Sequence, residues 1–150
     1  MHKKYLLIFL CLFSAQALLA QINFQKIFRQ PDSASSMQTY DCKATPDGGY
    51  ILAGLSSEGS TNTFHPYLLK LNCKGEEVWK QVFGTTQTTA NVYTKVIVTQ
   101  DSGFAMISNL GVYTNYNGFV VRTDNLGNIL WQKNLNLSSG NDNVHDIKET

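Results

Sequence analysis

No stretch of this chain carries apolar residues at helical spacing between helix caps; they fall in short runs and alternations instead. Residues 67–72 alternate, with Tyr67, Leu69 and Leu71 on one face and Leu68, Lys70 and Asn72 on the other, the period-two pattern of a strand. Residues 50–53 are continuously apolar, as in a strand buried on both faces. Residues 77–83 mix Trp79 and Phe83 with Lys80 and Gln81, which predicts a half-exposed outer strand, and residues 40–44 supply a first one. Turn chemistry separates them: Asp47-Gly-Gly49 between the first and second strands, and an Asn72 to Gly75 turn between the third and fourth.

The four-strand pattern is written twice. Residues 119–123 run into a turn at 124–127 and residues 128–133 run out, so that Asp124, Gly127 and Trp131 repeat Asn72, Gly75 and Trp79 at a constant spacing of 52. Upstream, residues 45–54 align with 99–108 at a spacing of 54, which places Asp47 on Asp101 and Gly49 on Gly103; the length change lies in the loop between the two blocks. The first strand of the second unit is 94–98. In this copy Asp101-Ser-Gly103 replaces Asp-Gly-Gly and Ile107-Ser108 replaces Ala-Gly, which predicts a slightly irregular unit. A third unit opens at 147–150, and residues 22–28 read as an outgoing strand with Phe24 and Phe28 in the places of Trp79 and Phe83.

A four-stranded antiparallel unit cannot bury both faces alone, so such units stack as propeller blades or in a line. The expected fold is all-β, a partial β-propeller of four-stranded antiparallel blades: a leading outer strand and loop at 21–37, blades at 38–90 and 91–143, and the start of a third at 144–150. Stopping inside a unit predicts an N-terminal piece of a longer protein, in which the leading strand completes the last blade and the remaining blades are partners; assembly of several copies is the alternative.

With 43% hydrophobic and 15% charged residues among 150, the chain has the composition of a folded protein, and a net charge of +1 predicts neither nucleic acid nor an anionic membrane as partner. Residues 1–4 are basic, 5–13 apolar and 15–20 rich in small residues, which predicts a signal peptide over 1–20 and export to the periplasm, cell surface or medium. The apolar run falls short of the about 20 residues of a membrane span. Cys11 leaves with that segment. Cys42 and Cys73 fall at opposite ends of one sheet, beyond the about 7 Å that a disulfide bridges, so free thiols are expected; Cys42 aligns with Val96 and is expected in the core.

Asp-Gly-Gly-Tyr-Ile-Leu-Ala-Gly at 47–54, a polar loop, Tyr-Leu-Leu-Lys-Leu-Asn at 67–72, a Gly turn and Glu-Val-Trp-Lys-Gln-Val-Phe-Gly at 77–84 resemble the blade repeat of secreted propeller proteins of Bacteroidetes-type bacteria, from about residue 38 to the end. More distantly the repeat is similar to quinoprotein-like propellers, which lock neighbouring blades with an Asp, a turn Gly and a Trp. That resemblance implies a blade-locking role for Asp124, Gly127 and Trp131 and for Asn72, Gly75 and Trp79; quinone chemistry is not expected. Asp32-Ser-Ala34 resembles a short O-glycan acceptor motif of that bacterial group.

Trp79 and Trp131 suit sugar stacking, yet their shared repeat position points to packing between blades. Asp124 to Asn128 and Asn141-Asp-Asn143 hold the oxygens a calcium ion takes, but turn chemistry accounts for them without EF-hand spacing. His65 and His145 have no partner at metal-ligand spacing, and no catalytic triad, paired carboxylate set or phosphate loop is present; no cofactor is expected. Strand directions gather the loops 56–66, 84–91, 109–118 and 137–143 on one face, with His65, Tyr113 and Tyr116 as candidate binding residues. The expected function is an exported, non-catalytic propeller module binding an extracellular protein or glycan. The alternative is a propeller enzyme, a quinoprotein-like dehydrogenase or a carbohydrate-active protein, with its catalytic residues in further blades.

Overall fold

The computed structural model describes residues 36–57, 63–84, 94–112, 115–136 and 140–150. The expected signal segment 1–20, the expected leading strand 22–28, the Asp32 motif and Tyr113 lie outside them. Eight strands follow in order: β1 (Ser36–Ala44), β2 (Tyr50–Ser57), β3 (Phe64–Leu71), β4 (Glu77–Val82), β5 (Thr94–Val98), β6 (Phe104–Val112), β7 (Asn115–Thr123) and β8 (Ile129–Leu135). They form two four-stranded sheets, β1-β2-β3-β4 and β5-β6-β7-β8, with every neighbouring pair antiparallel. The described chain is all-β and built of two blades of a partial propeller.

Period-two alternation decides what each face does. Leu68 turns toward the second sheet, where Ile51, Ala53, Leu68 and Phe83 meet Val96, Phe104, Met106, Leu110, Phe119 and Val121 in one core, with Trp79 and Val98 packed at its margin. Tyr67, Leu69 and Leu71 turn the other way and cluster with Met37, Tyr50 and Leu52. Ile51, Val96, Met106 and Val121 are fully buried, and each such side chain contributes about 1.5–3 kcal/mol relative to exposure. The innermost strand of the second sheet, β5, lies against β1 and β2.

The structure corrects two expectations. Residues 109–118 are not a long loop: β6 runs to Val112 and β7 starts at Asn115, with Gly118 paired to Asn109. Cys42 is exposed rather than in the core, although Val96 at the same repeat position is fully buried. The two occupy corresponding faces, but that of Val96 is turned onto the first sheet, whereas Cys42, beside Leu52, points away from the second. Residues 144–150, expected to open a third blade, are assigned to no strand and are bonded to the second sheet through Val144, Asp146 and Glu149.

Candidate functional site at the seam between the sheets

Each β1–β2-type turn is closed by a cation from the third strand of its own sheet. In the first sheet Thr45 Oγ1 and the Gly49 amide both donate to Asp47 Oδ1. Lys70 Nζ reaches Asp47 Oδ2 at 2.8 Å and donates to the Leu71 carbonyl at 3.0 Å, with its side chain only 6% exposed. The ammonium passes over Gly49, where a Cβ would overlap the Leu71 carbonyl oxygen and lie 2.6 Å from Nζ. The second sheet repeats the arrangement. Thr99 Oγ1 donates to Asp101 at 2.7 Å and the Gly103 amide at 3.1 Å, while Arg122 bonds Asp101, the Phe104 carbonyl and the Thr123 carbonyl. A Cβ on Gly103 would overlap the guanidinium. The sequence singled out the Asp and Gly of this clamp and missed Lys70 and Arg122, although a base recurring 52 positions apart inside a buried strand was the available signal.

These contacts depress both carboxyls to about 2, Asp47 through Lys70 first and then Thr45, Asp101 through Thr99 first and then Arg122. An Asp in the unfolded chain titrates near 3.9. The clamps therefore stabilise fully above that value and lose their contribution as pH falls toward about 2. In an acid titration followed by circular dichroism, the D47N/D101N variant is expected to show a shallower loss of stability below pH 4 than the parent. Equal slopes would refute the assignment.

Ser102 stands where the first unit has Gly48, at φ 65° against 78°. The turn is nonetheless the same, with Thr99 N to Gly103 O and Ser102 N to Thr99 O matching Thr45 N to Gly49 O and Gly48 N to Thr45 O. The expected irregularity of the second unit is thus absent from this turn and appears as one residue held in the left-handed region. Ser102→Gly should raise stability by about 0.5–1 kcal/mol, since a side chain there costs more than the glycine's extra chain entropy; urea unfolding measures it.

Across the seam the first sheet locks onto the β7–β8 turn. Trp79 Nε1 donates to the Asn125 carbonyl at 3.3 Å, and the indole covers Gly127, at φ 86°, so closely that a Cβ would stand 3.0 Å from the ring. Phe104 supports the indole with ring centroids 5.7 Å apart and planes at 56°. The turn itself is shaped by Asp124, whose Oδ1 accepts the Leu126 and Asn128 amides at 2.9 Å and whose Oδ2 accepts Asn128 Nδ2 at 2.8 Å. Those bonds, that from the Asn128 side chain first, hold its carboxyl below the usual range. Asn72 does the same work in the first unit, accepting the Lys74 and Glu76 amides at 2.9 and 3.0 Å. Trp131, placed on the repeat as Trp79 is, stands 51% exposed among the described residues.

At the inner strands the sheets are joined by a carboxylate. Asp41 accepts the Cys42 amide at 2.9 Å and the Val96 amide of the second sheet at 3.1 Å, and pairs with Lys43. Burial alone would raise its pKa, but Lys43 and the Val96 amide bring it below the usual value. The segment 140–150 is tied to the second sheet by Asp142 N to Tyr116 O at 2.7 Å, Val144 N to Asn109 Oδ1 at 2.8 Å, Lys95 to Asp146 at 2.8 Å and Gln100 N to Glu149 at 2.7 Å. Between the clamp and the tryptophan lock lies a cleft of about 450 Å³, bordered by Thr45, Asp47, Lys70, Trp79, Phe104 and Leu126.

Of the candidate binding residues, His65 is half-buried on β3 opposite Ser56. Tyr116 is not a loop residue: it is 7% exposed on β7, with its amide bonded to Asn141 Oδ1 at 2.9 Å. The seam and the topology define an all-β protein of stacked blade repeats. No protein family, curated protein or solved structure matches the chain.

Proposed function

We propose that the chain is an exported, non-catalytic β-propeller repeat module that binds an extracellular protein or glycan through the strand ends remote from the locks. The observation that supports this reading is the employment of the polar and aromatic side chains at the seam: Asp47, Lys70, Asp101, Arg122, Asp124 and Trp79 are engaged with one another or with turn backbone. A scaffold held this firmly at one end leaves sequence variation, and with it recognition, to the opposite loops. The resemblance to secreted Bacteroidetes-type propellers and the signal-like residues 1–20 point the same way. Expression of residues 1–150 in a Gram-negative host should deliver a protein outside the cytoplasm whose intact mass starts at Gln21. On a glycan array that product should retain one class of glycan and lose it when His65 and Tyr113 are both changed to Ala. Retention in the cytoplasm at full mass would refute export, and quinone-dependent dye reduction by the purified protein would refute a non-catalytic role.

A further inference from the structure

The cleft between the first clamp and the tryptophan lock is built of three unlike parts. One is a carboxylate: the Asp47 side chain stands 62% exposed, and its Oδ2 accepts Lys70 while keeping lone-pair capacity. The second is the half-buried indole of Trp79. The third is an apolar rim, Val78 at 57% and Leu126 at 68% exposure. Ser102 and Asn125 also line the cleft, and both side chains carry acceptor oxygens.

Charge decides what such a cleft attracts. The turns at this end of the sheets, with the strand ends behind them, carry Asp47, Glu76, Glu77, Asp101 and Asp124 against Lys70, Lys74 and Arg122. That is a surplus of two negative charges in a chain whose net charge is +1. The surplus that solvent meets is larger, because Lys70 and Arg122 are folded in at 6% and 12% exposure while the carboxylates they hold stand 62% open. Glu77, Asp101 and Asp124 directly precede Val78, Ser102 and Asn125, so carboxylates flank the mouth. The hydrogen bonds that shape Asp47, Asp101 and Asp124 hold all three below the usual carboxylate range, which keeps them ionised at neutral pH.

We infer that this cleft is a binding site for an arginine side chain of a partner protein, its guanidinium donating to Asp47 Oδ2 beside the Trp79 indole and its methylenes lying against Leu126 and Val78. A guanidinium fits better than an ammonium, because it is planar, weakly hydrated and able to pack on an aromatic ring while donating to a carboxylate. A neutral saccharide would use the indole and the acceptors but gain nothing from the charge. The site lies at the strand ends opposite the loops proposed above for recognition, and it stands or falls separately from them.

The test titrates the isotope-labelled full chain with N-acetyl-arginine amide and follows the Trp79 indole N–H resonance, assigned as the one that persists in W131F. That resonance and the Ser102 and Asn125 amides should shift saturably, and added sodium chloride should weaken the binding. N-acetyl-norleucine amide, which keeps the stem and lacks the cation, should bind about tenfold more weakly. Leu126→Lys and Asn125→Lys each set a like charge on the rim at an exposed position, away from the clamp. Each should weaken the arginine amide by about tenfold while the thermal midpoint stays put. The absence of a saturable shift at these resonances overturns the inference. So does equal binding of the norleucine amide, which would make the cleft an apolar pocket, and so do folded rim variants that keep full affinity. A methyl glycoside that shifts the same resonances at lower concentration than the arginine amide would assign the cleft to a saccharide and overturn it likewise.

Discussion

Trp79→Ala lowers the free energy of unfolding by about 3 kcal/mol, while Trp131→Ala in the same chain changes it by less than about 0.5 kcal/mol. The two residues are the same amino acid at the same place in a repeat, so propensity and local sequence cannot separate them. Tertiary surroundings do. Removing the Trp79 indole opens space beside Gly127 and Phe104, breaks the bond to the Asn125 carbonyl and uncouples the second sheet's turn from the first sheet. Trp131 is half exposed and leaves little behind. Urea denaturation of both variants beside the parent measures the contrast. Equal losses would mean that Trp131 is packed as deeply as Trp79, contrary to the structure. Trp79→Phe should recover part of the loss, because an aromatic ring still covers Gly127 although the donor is gone.

Asp47→Ala costs about 2–3 kcal/mol, less than the 3–5 of a fully enclosed pair because Asp47 itself is open to water. The cost arises at Lys70, whose ammonium keeps the Leu71 carbonyl but loses both carboxylate contacts inside a site that is nearly closed. Lys70→Met should be much milder, since a side chain of similar length fills the strand without an uncompensated charge. The D47A/K70M double variant then becomes the decisive measurement. It should be more stable than D47A alone, because the second change removes the charge that the first left stranded. Additive losses in the double variant would show that the pair acts through packing rather than charge.

The strand assignments were legible because alternation in residues 67–72 and the unbroken apolar run 50–53 permit little else. The spacing of 52 between tryptophans made the two sheets legible as copies. Less of the seam could be read. Lys70 looked like one polar residue on an alternating strand, and nothing local says that its ammonium will fold back over Gly49 to reach a carboxylate 23 positions earlier. Asp41 carries no local signal, because its partner, the Val96 amide, belongs to the other sheet. Cys42 was misplaced by the repeat itself: alignment with Val96 carries over the strand face but not what lies opposite that face.

By itself the sequence determined an all-β chain of two like units, the positions of their turns, and the Asp, Gly and Trp that recur at fixed points. Each of these rests on short-range physics: side-chain alternation along a strand, the backbone freedom of glycine, and carboxylate or amide oxygens capping nearby amides. Only the tertiary structure decided which tryptophan is an anchor and which lies open, which basic residues close the clamps, and which inner-strand carboxylate joins the sheets. Those outcomes depend on groups brought together across tens of residues and between sheets, where identical local sequences meet different neighbours.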